Sequence, residues 1–144
     1  MLKDTHFYAK RLKIFYESLG FFVEIEDEDD NSDWAPIAMM ISDDPELECD
    51  WKNGEITSFY FWFYPQYKRA QKEEDVKMLV NMSSMGIKKA DRGKGLASKM
   101  VDGMIKIFGD DLGYIEADDL NRSGIWQYIA SKYPHIEWNI KTAD

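Results

Sequence analysis

The sequence predicts one α/β domain, a mixed central sheet with flanking helices, and three observations lead there. Apolar residues recur at helical spacing in three stretches, and six other short segments are rich in β-formers. Their order is helix, four strands, helix, strand, helix, strand, which gives a mostly antiparallel first half followed by strand–helix alternation. Finally, 144 residues suffice for one compact domain and not for two, while 44% hydrophobic residues and 15% aromatic ones promise a filled core.

Residues 5–19 place Tyr8, Leu12, Phe15 and Leu19 at helical spacing, with Asp4 or Thr5 as N-cap and Gly20 as the stop. Residues 21–25 read as a short strand, and 26–33 are too acidic to be more than a loop. Residues 34–42 and 56–64, bounded by Asp43, Asp44, Asn53 and Gly54, read as antiparallel partners, the second apolar on both faces. A polar excursion over 68–75 leads into a strand over 77–87, with an irregularity expected at Ser83, Ser84 and Gly86. Leu96, Ala97, Met100, Val101, Met104, Ile105 and Phe108 then form the clearest helical stripe, ended by Gly109. A brief strand over 114–117 precedes a helix capped by Asn121, with Ile125, Tyr128, Ile129 and Lys132 on one face, and a last strand over 136–140.

The net charge is −9, but residues 24–50 hold twelve Asp or Glu and no Lys or Arg, so the rest sums to +3. One lobe therefore repels phosphates and attracts cations, while another tolerates an anion. Nucleic acid is disfavoured as a partner, because affinity there comes largely from Lys and Arg. No apolar run approaches the ~20 residues of a membrane-spanning helix, and no membrane partner is expected. The amino terminus lacks the pattern of a secretion signal. Cys49 stands alone and His6 and His135 are the sole histidines, so neither a disulfide nor a metal-centred mechanism is expected, and the setting is a reducing, cytoplasmic one. Acidic neighbours disfavour a Cys49 thiolate.

Chemistry concentrates in Arg92-Gly93-Lys94-Gly95-Leu96-Ala97, between a strand and the strongest helix. Glycines at alternate positions let the backbone turn tightly and bring its N–H groups to a ligand with no Cβ in the way. The positive end of the following helix coincides with those N–H groups, a combination suited to a pyrophosphate. Lys88, Lys89, Arg92, Lys94 and Lys99 add positive charge against Asp91 alone. The Gly-x-x-x-x-Gly-Lys-Ser/Thr run of nucleotide triphosphatases is absent, as is the third glycine of a dinucleotide fold.

This run resembles the pyrophosphate motif Gln/Arg-x-x-Gly-x-Gly/Ala of the GNAT superfamily, N-acetyltransferases that move an acetyl group from acetyl-coenzyme A (acetyl-CoA) to a primary amine. Asn121, Gly124 and Tyr128 hold the spacing of that family's Asn-x-x-Ala-x-x-x-Tyr, with glycine in place of alanine. The resemblance covers residues 77–140. It implies the GNAT, or acyl-CoA N-acyltransferase, fold, with Met85, Gly86 and Ile87 presenting main chain to the pantetheine arm. Gly93, Lys94, Gly95, Leu96, Ala97 and Ser98 would hold the pyrophosphate beside Arg92, and Asn121 would touch the pantetheine or cap the next helix. Tyr128 would be the catalytic group that protonates the departing thiolate, and the Ile87 amide the oxyanion donor.

The general base is open among Glu116, Asp118 and the acidic segment. A cationic amine, whether a small molecule or a lysine side chain, is the expected acceptor. Tyr128 at its spacing also fits a core tyrosine beside Ile125 and Ile129, and a non-catalytic CoA-binding or acidic interaction module on the same fold is the alternative function. The apolar strands over 59–64 and around Trp138 raise a homodimer through sheet edges, against the simpler reading that they are central and covered.

Overall fold

The computed structural model describes residues 2–27, 36–47, 54–119 and 124–142. Its elements run α1 (Thr5–Ser18), β1 (Phe22–Asp27), β2 (Ile37–Ser42), β3 (Ser58–Gln66), β4 (Lys77–Gly86), α2 (Leu96–Phe108), β5 (Leu112–Asp119), α3 (Ile125–Ser131) and β6 (Glu137–Thr142). That is the order the sequence predicts. Asp4 caps α1 by accepting from the Phe7 N–H at 2.9 Å. The acidic loop begins later than expected, because β1 continues to Asp27; residues 28–35, with Trp34, and the reading placed on Cys49 fall outside the described residues.

The six strands form one sheet in the order β1-β2-β3-β4-β5-β6. The pairs from β1 to β4 are antiparallel and those from β4 to β6 parallel. Each parallel crossover carries a helix, as the connection requires. The register sorts side chains onto two faces. Ile25, Met39, Phe61, Val80, Ile115 and Trp138 belong to one face, while Glu26, Ala38, Trp62, Asn81, Glu116 and Asn139 belong to the other.

Phe59, Phe61 and Phe63 of β3 are fully buried in one cluster with Tyr8, Leu12 and Tyr16 of α1, Met100, Val101, Met104 and Phe108 of α2, and Trp126 and Ile129 of α3. The Tyr16 hydroxyl donates to the Met100 carbonyl at 3.0 Å, tying α1 to α2. The Tyr133 hydroxyl, just past α3, donates to Asp102 Oδ1 on α2 at 2.6 Å. All three helices therefore lie on the same side of the sheet. The sheet is flanked on one face, and among the described residues no helix covers the other.

Two expectations need correction. Strand β3 lies between β2 and β4, so it offers no edge for a second copy to pair with; of the two proposed dimer strands only β6, which carries Trp138, is an edge. The apolarity of β3 on both faces has another cause, since its helix-facing residues are buried Phe and its outward ones the half-exposed Tyr60, Trp62 and Tyr64. In α3 the core is met by Trp126 and Ile129, and Tyr128 is 59% exposed, so it is not a core tyrosine. The larger apolar surface of the indole takes the inward position, a rotation of the helix that spacing alone does not choose.

Candidate functional site

Strands β4 and β5 part company before either ends. Their last pair is Met82 with Ala117, yet β4 continues to Gly86 and β5 to Asp119. Beyond that fork β4 pairs only with β3, and the groups of residues 83–86 that face β5 have no strand partner among the described residues. A bulge accompanies the separation: Tyr60 opposes Ser84 and Phe61 opposes Met82, so Ser83 is the extra residue. The irregularity expected at 83–86 is thus present, and it opens a gap at the carboxyl ends of two adjacent parallel strands. Open α/β sheets take their ligands at such ends.

The glycine turn opens onto the same end of the sheet, because residues 87–95 connect β4 directly to α2. Gly93 has φ +79° and Gly95 φ +75°, the left-handed region that a glycine enters at no steric cost. Gly95 caps α2, whose first bond runs from Lys99 N–H to the Gly95 carbonyl at 3.0 Å. The amides of Leu96, Ala97 and Ser98 precede that bond and have no helical carbonyl to donate to. A Cβ placed on Gly86, Gly93 or Gly95 would meet nothing within 4 Å. The turn is therefore an open cradle of main-chain donors at the positive end of a 13-residue helix.

The basic residues around it divide into those already engaged and those exposed to solvent. Arg92 Nε donates to the Ile87 carbonyl at 2.9 Å, and Lys88 Nζ lies 3.1 Å from Asp43 and 3.6 Å from Asp91. The hydrogen bond to Asp43 and that carboxylate's charge raise the Lys88 ammonium above its ordinary value. The Lys89 N–H donates to the Gly54 carbonyl at 2.8 Å and the Lys88 N–H to Thr57 Oγ1 at 3.0 Å, so the residues leading into β3 brace the connector. Lys89, Lys94 and Lys99 are exposed. Asp43, read in the sequence as part of a cation-attracting lobe, serves here to steady the basic one.

On the open face a chain of side chains crosses the fork. Trp62 Nε1 donates to Ser83 Oγ at 3.0 Å, the Ser83 hydroxyl donates to Asn81 Oδ1 at 3.2 Å, and Asn81 Nδ2 donates to Glu116 Oε2 at 3.0 Å. Trp62 stacks on Tyr64 with centroids 5.5 Å apart and planes 19° apart. Burial, and then the negative charge of Glu116, raise the Tyr64 phenol above its ordinary value, while Arg69 opposes them. Arg69 itself lies over the Tyr114 ring at 4.6 Å and pairs with Glu137. Sequence reasoning missed Trp62, Asn81 and Ser83, although the alternation of Phe with Tyr and Trp along β3 signals one dry face and one wet one.

The fork and the glycine turn bring together Met85, Gly86, Ile87, Arg92 and residues 93–98. Tyr128 lies one turn into α3, whose amino end follows β5, and Lys132 Nζ stands 5.0 Å from its ring centre. Asn121 lies outside the described residues, and the cap observed on α3 is Gly124, at φ +75°. His6 is paired with Asp27 at 2.5 Å, and His135 is exposed. Among the described residues no group of three His, Cys, Asp or Glu is placed to hold a metal, and no helix is long and apolar enough to cross a membrane. Comparison with family models, curated proteins and solved structures returned no match for this chain.

Proposed function

We propose that this domain is an acetyl-CoA-dependent N-acetyltransferase of the GNAT kind, acting on the primary amine of a cationic acceptor. The observation that carries the reading is the coincidence of the β4–β5 fork with the open glycine turn at the head of α2. A main-chain edge and a set of unpaired amides stand at one end of the sheet, side by side, as a pantetheine arm and its pyrophosphate require. Unfilled space before Gly86, Gly93 and Gly95 fits such a ligand.

Acetyl-CoA, when bound, supplies the activated acyl group, and the chain has to bind, align and manage protons. The amides of residues 93–98 hold the diphosphate, each charge-assisted bond contributing about 1.5–3 kcal/mol. The free edge of residues 83–86 accepts an extended arm as an added strand. The Ile87 amide faces the developing oxyanion, and the Tyr128 hydroxyl donates a proton to the leaving sulfur. Holding amine and thioester in line supplies much of the acceleration.

Gly95→Val tests the coenzyme site. A β-branched residue at φ +75° costs about 1–2 kcal/mol, which a domain stable by roughly 5–15 kcal/mol survives, while its side chain fills the cradle. Calorimetric titration with CoA is expected to show binding lost in a folded protein; retained binding removes the basis of the reading. The exposed position of Tyr128 favours a second reading, a CoA-binding module without catalysis. Tyr128→Phe discriminates: a drop of about 10²-fold or more in thiol release with unchanged CoA affinity supports the enzyme, whereas no release from the wild-type protein over a mixed amine panel supports the module.

A further inference from the structure

The acetyl-transfer reading leaves the general base unassigned, and the open sheet face supplies one. We propose that Glu116 is the carboxylate that receives the acceptor ammonium and takes its first proton, and that Asn81 positions it through the chain beginning at Trp62. This rests on the reading above and adds residues to it.

The hydrogen-bond chain has a single direction. An indole N–H can only donate, so the Ser83 hydroxyl accepts from Trp62 and passes its own hydrogen to Asn81 Oδ1. With its oxygen so engaged, the Asn81 amide turns its nitrogen to Glu116 Oε2. One carboxylate oxygen is thereby held in place, and among the described residues no cation pairs with Glu116. The other acids on this face differ: Glu137 is paired with Arg69, Asp118 is exposed past the last β4–β5 pair with Lys141 as its register neighbour, and Glu24 and Glu26 sit on the remote edge strand β1.

Position agrees with chemistry. Glu116 is opposite Asn81, one residue before the last β4–β5 pair, and Ser83 is the first β4 residue past it. The network therefore borders the gap where the two strands separate, on the face away from α2, so coenzyme and acceptor would approach the fork from opposite sides of the sheet. The stacked Trp62 and Tyr64 rings beside it suit an alkylammonium, and the same face already accommodates a guanidinium on Tyr114 next to a carboxylate.

The proton count closes. An acceptor arriving as R–NH3⁺ gives one proton to Glu116, and the freed nitrogen lone pair attacks the thioester carbonyl. The C–N bond forms, the C–S bond breaks, and the second nitrogen proton leaves as the thiolate takes one to become the thiol. Glu116 releases its proton to solvent, and the net products are amide, thiol and one proton.

The test uses the intact chain with acetyl-CoA, spermidine and Nα-acetyl-lysine methylamide as acceptors, following thiol release, with CoA affinity measured separately by calorimetry. Glu116→Gln is expected to lower kcat about 10²-fold or more at unchanged CoA affinity, and Glu116→Asp to recover part of the rate. Asn81→Leu lowers kcat while leaving the KM for acetyl-CoA in place, and Trp62→Phe, which keeps a ring and removes the N–H donor, does so to a smaller extent. A wild-type rate in Glu116→Gln overturns the inference, as does a fall in Glu116→Gln that Glu116→Asp does not relieve. A wild-type protein that binds CoA but acetylates neither amine overturns it too while sparing the coenzyme site; one that binds no CoA removes the underlying reading instead.

Discussion

The two faces of the sheet are built from the same strands and do opposite work. The helix-covered face is apolar at its centre: Phe59, Phe61 and Phe63 of β3 and Val80 and Met82 of β4 are sealed beneath α1 and α2. On the open face the aromatic groups of β3 to β5 are instead Tyr60, Trp62, Tyr64 and Tyr114, each bearing a polar tip, and the apolar Phe22 stands on the edge strand β1. Burial on the first face supplies cohesion, because apolar area removed from water is the main driving term. The second keeps its aromatics half-exposed and ties Trp62 into the hydrogen-bond chain that places Asn81 and Glu116.

The sharpest way to break that contrast is to truncate one residue on each side. Phe61→Ala is expected to cost about 3–5 kcal/mol, the usual penalty for a fully buried aromatic, and Tyr64→Ala under about 2 kcal/mol, both from urea unfolding midpoints at constant slope. Equal losses would mean that the open face is covered as tightly as the other.

The next effect lies where α1 meets α2. A Cβ on Gly103 would fall 2.0 Å from Phe15 Cζ, so the two helices touch through a missing side chain. Gly103→Val is expected to destabilise by about 1–3 kcal/mol, and Gly113→Ala, whose Cβ would stand 2.6 Å from Lys77 Cβ where the β4–β5 register steps from Leu112 to Tyr114, offers a comparison within the sheet. A neutral Gly103→Val would show that α1 shifts freely over the core.

The smallest effect is one of pH. Burial, and then the hydrogen bond to Asp102, push the Tyr133 phenol from its ordinary value of 10 up to about 12. The folded state thus favours the protonated phenol more than the unfolded chain does. Its contribution is complete below pH 10 and is lost as the pH rises from 10 towards 12. Tyr133→Phe should flatten the alkaline fall in stability over that window, measured by denaturant unfolding at pH 9, 10.5 and 12; an unchanged slope would mean that the link from the end of α3 to α2 carries no weight.

Much of this was legible in the sequence because local signals agreed with one another. The stripe from Leu96 to Phe108, the Asp4 cap and the Gly109 stop are properties of neighbouring residues, and the helices form where they say. The glycine turn was legible for the same reason, since glycine enters its two positive φ angles without the steric cost other residues bear there. Spacing left Tyr128 open between a catalytic group and a core tyrosine, because a short helix of mixed apolar residues can roll by one position, and the core position went to Trp126 packing on the sheet. Glu116 could be named among several acids but not selected, since its partner Asn81 is 35 residues away along the chain.

By itself, then, the order of residues determined which segments are helix or strand, the left-handed turn at Gly93 and Gly95, and the Phe-versus-Tyr/Trp alternation that gives β3 a dry side and a wet one. All of these depend on residues within a few positions of each other. Tertiary structure alone decided that the three helices share one side, that β4 and β5 separate after Met82 and Ala117, and that Trp62, Ser83, Asn81 and Glu116 meet beside that gap. Register between distant strands and the packing of helices on them depend on which surfaces can be buried together, and that is a property of the whole chain.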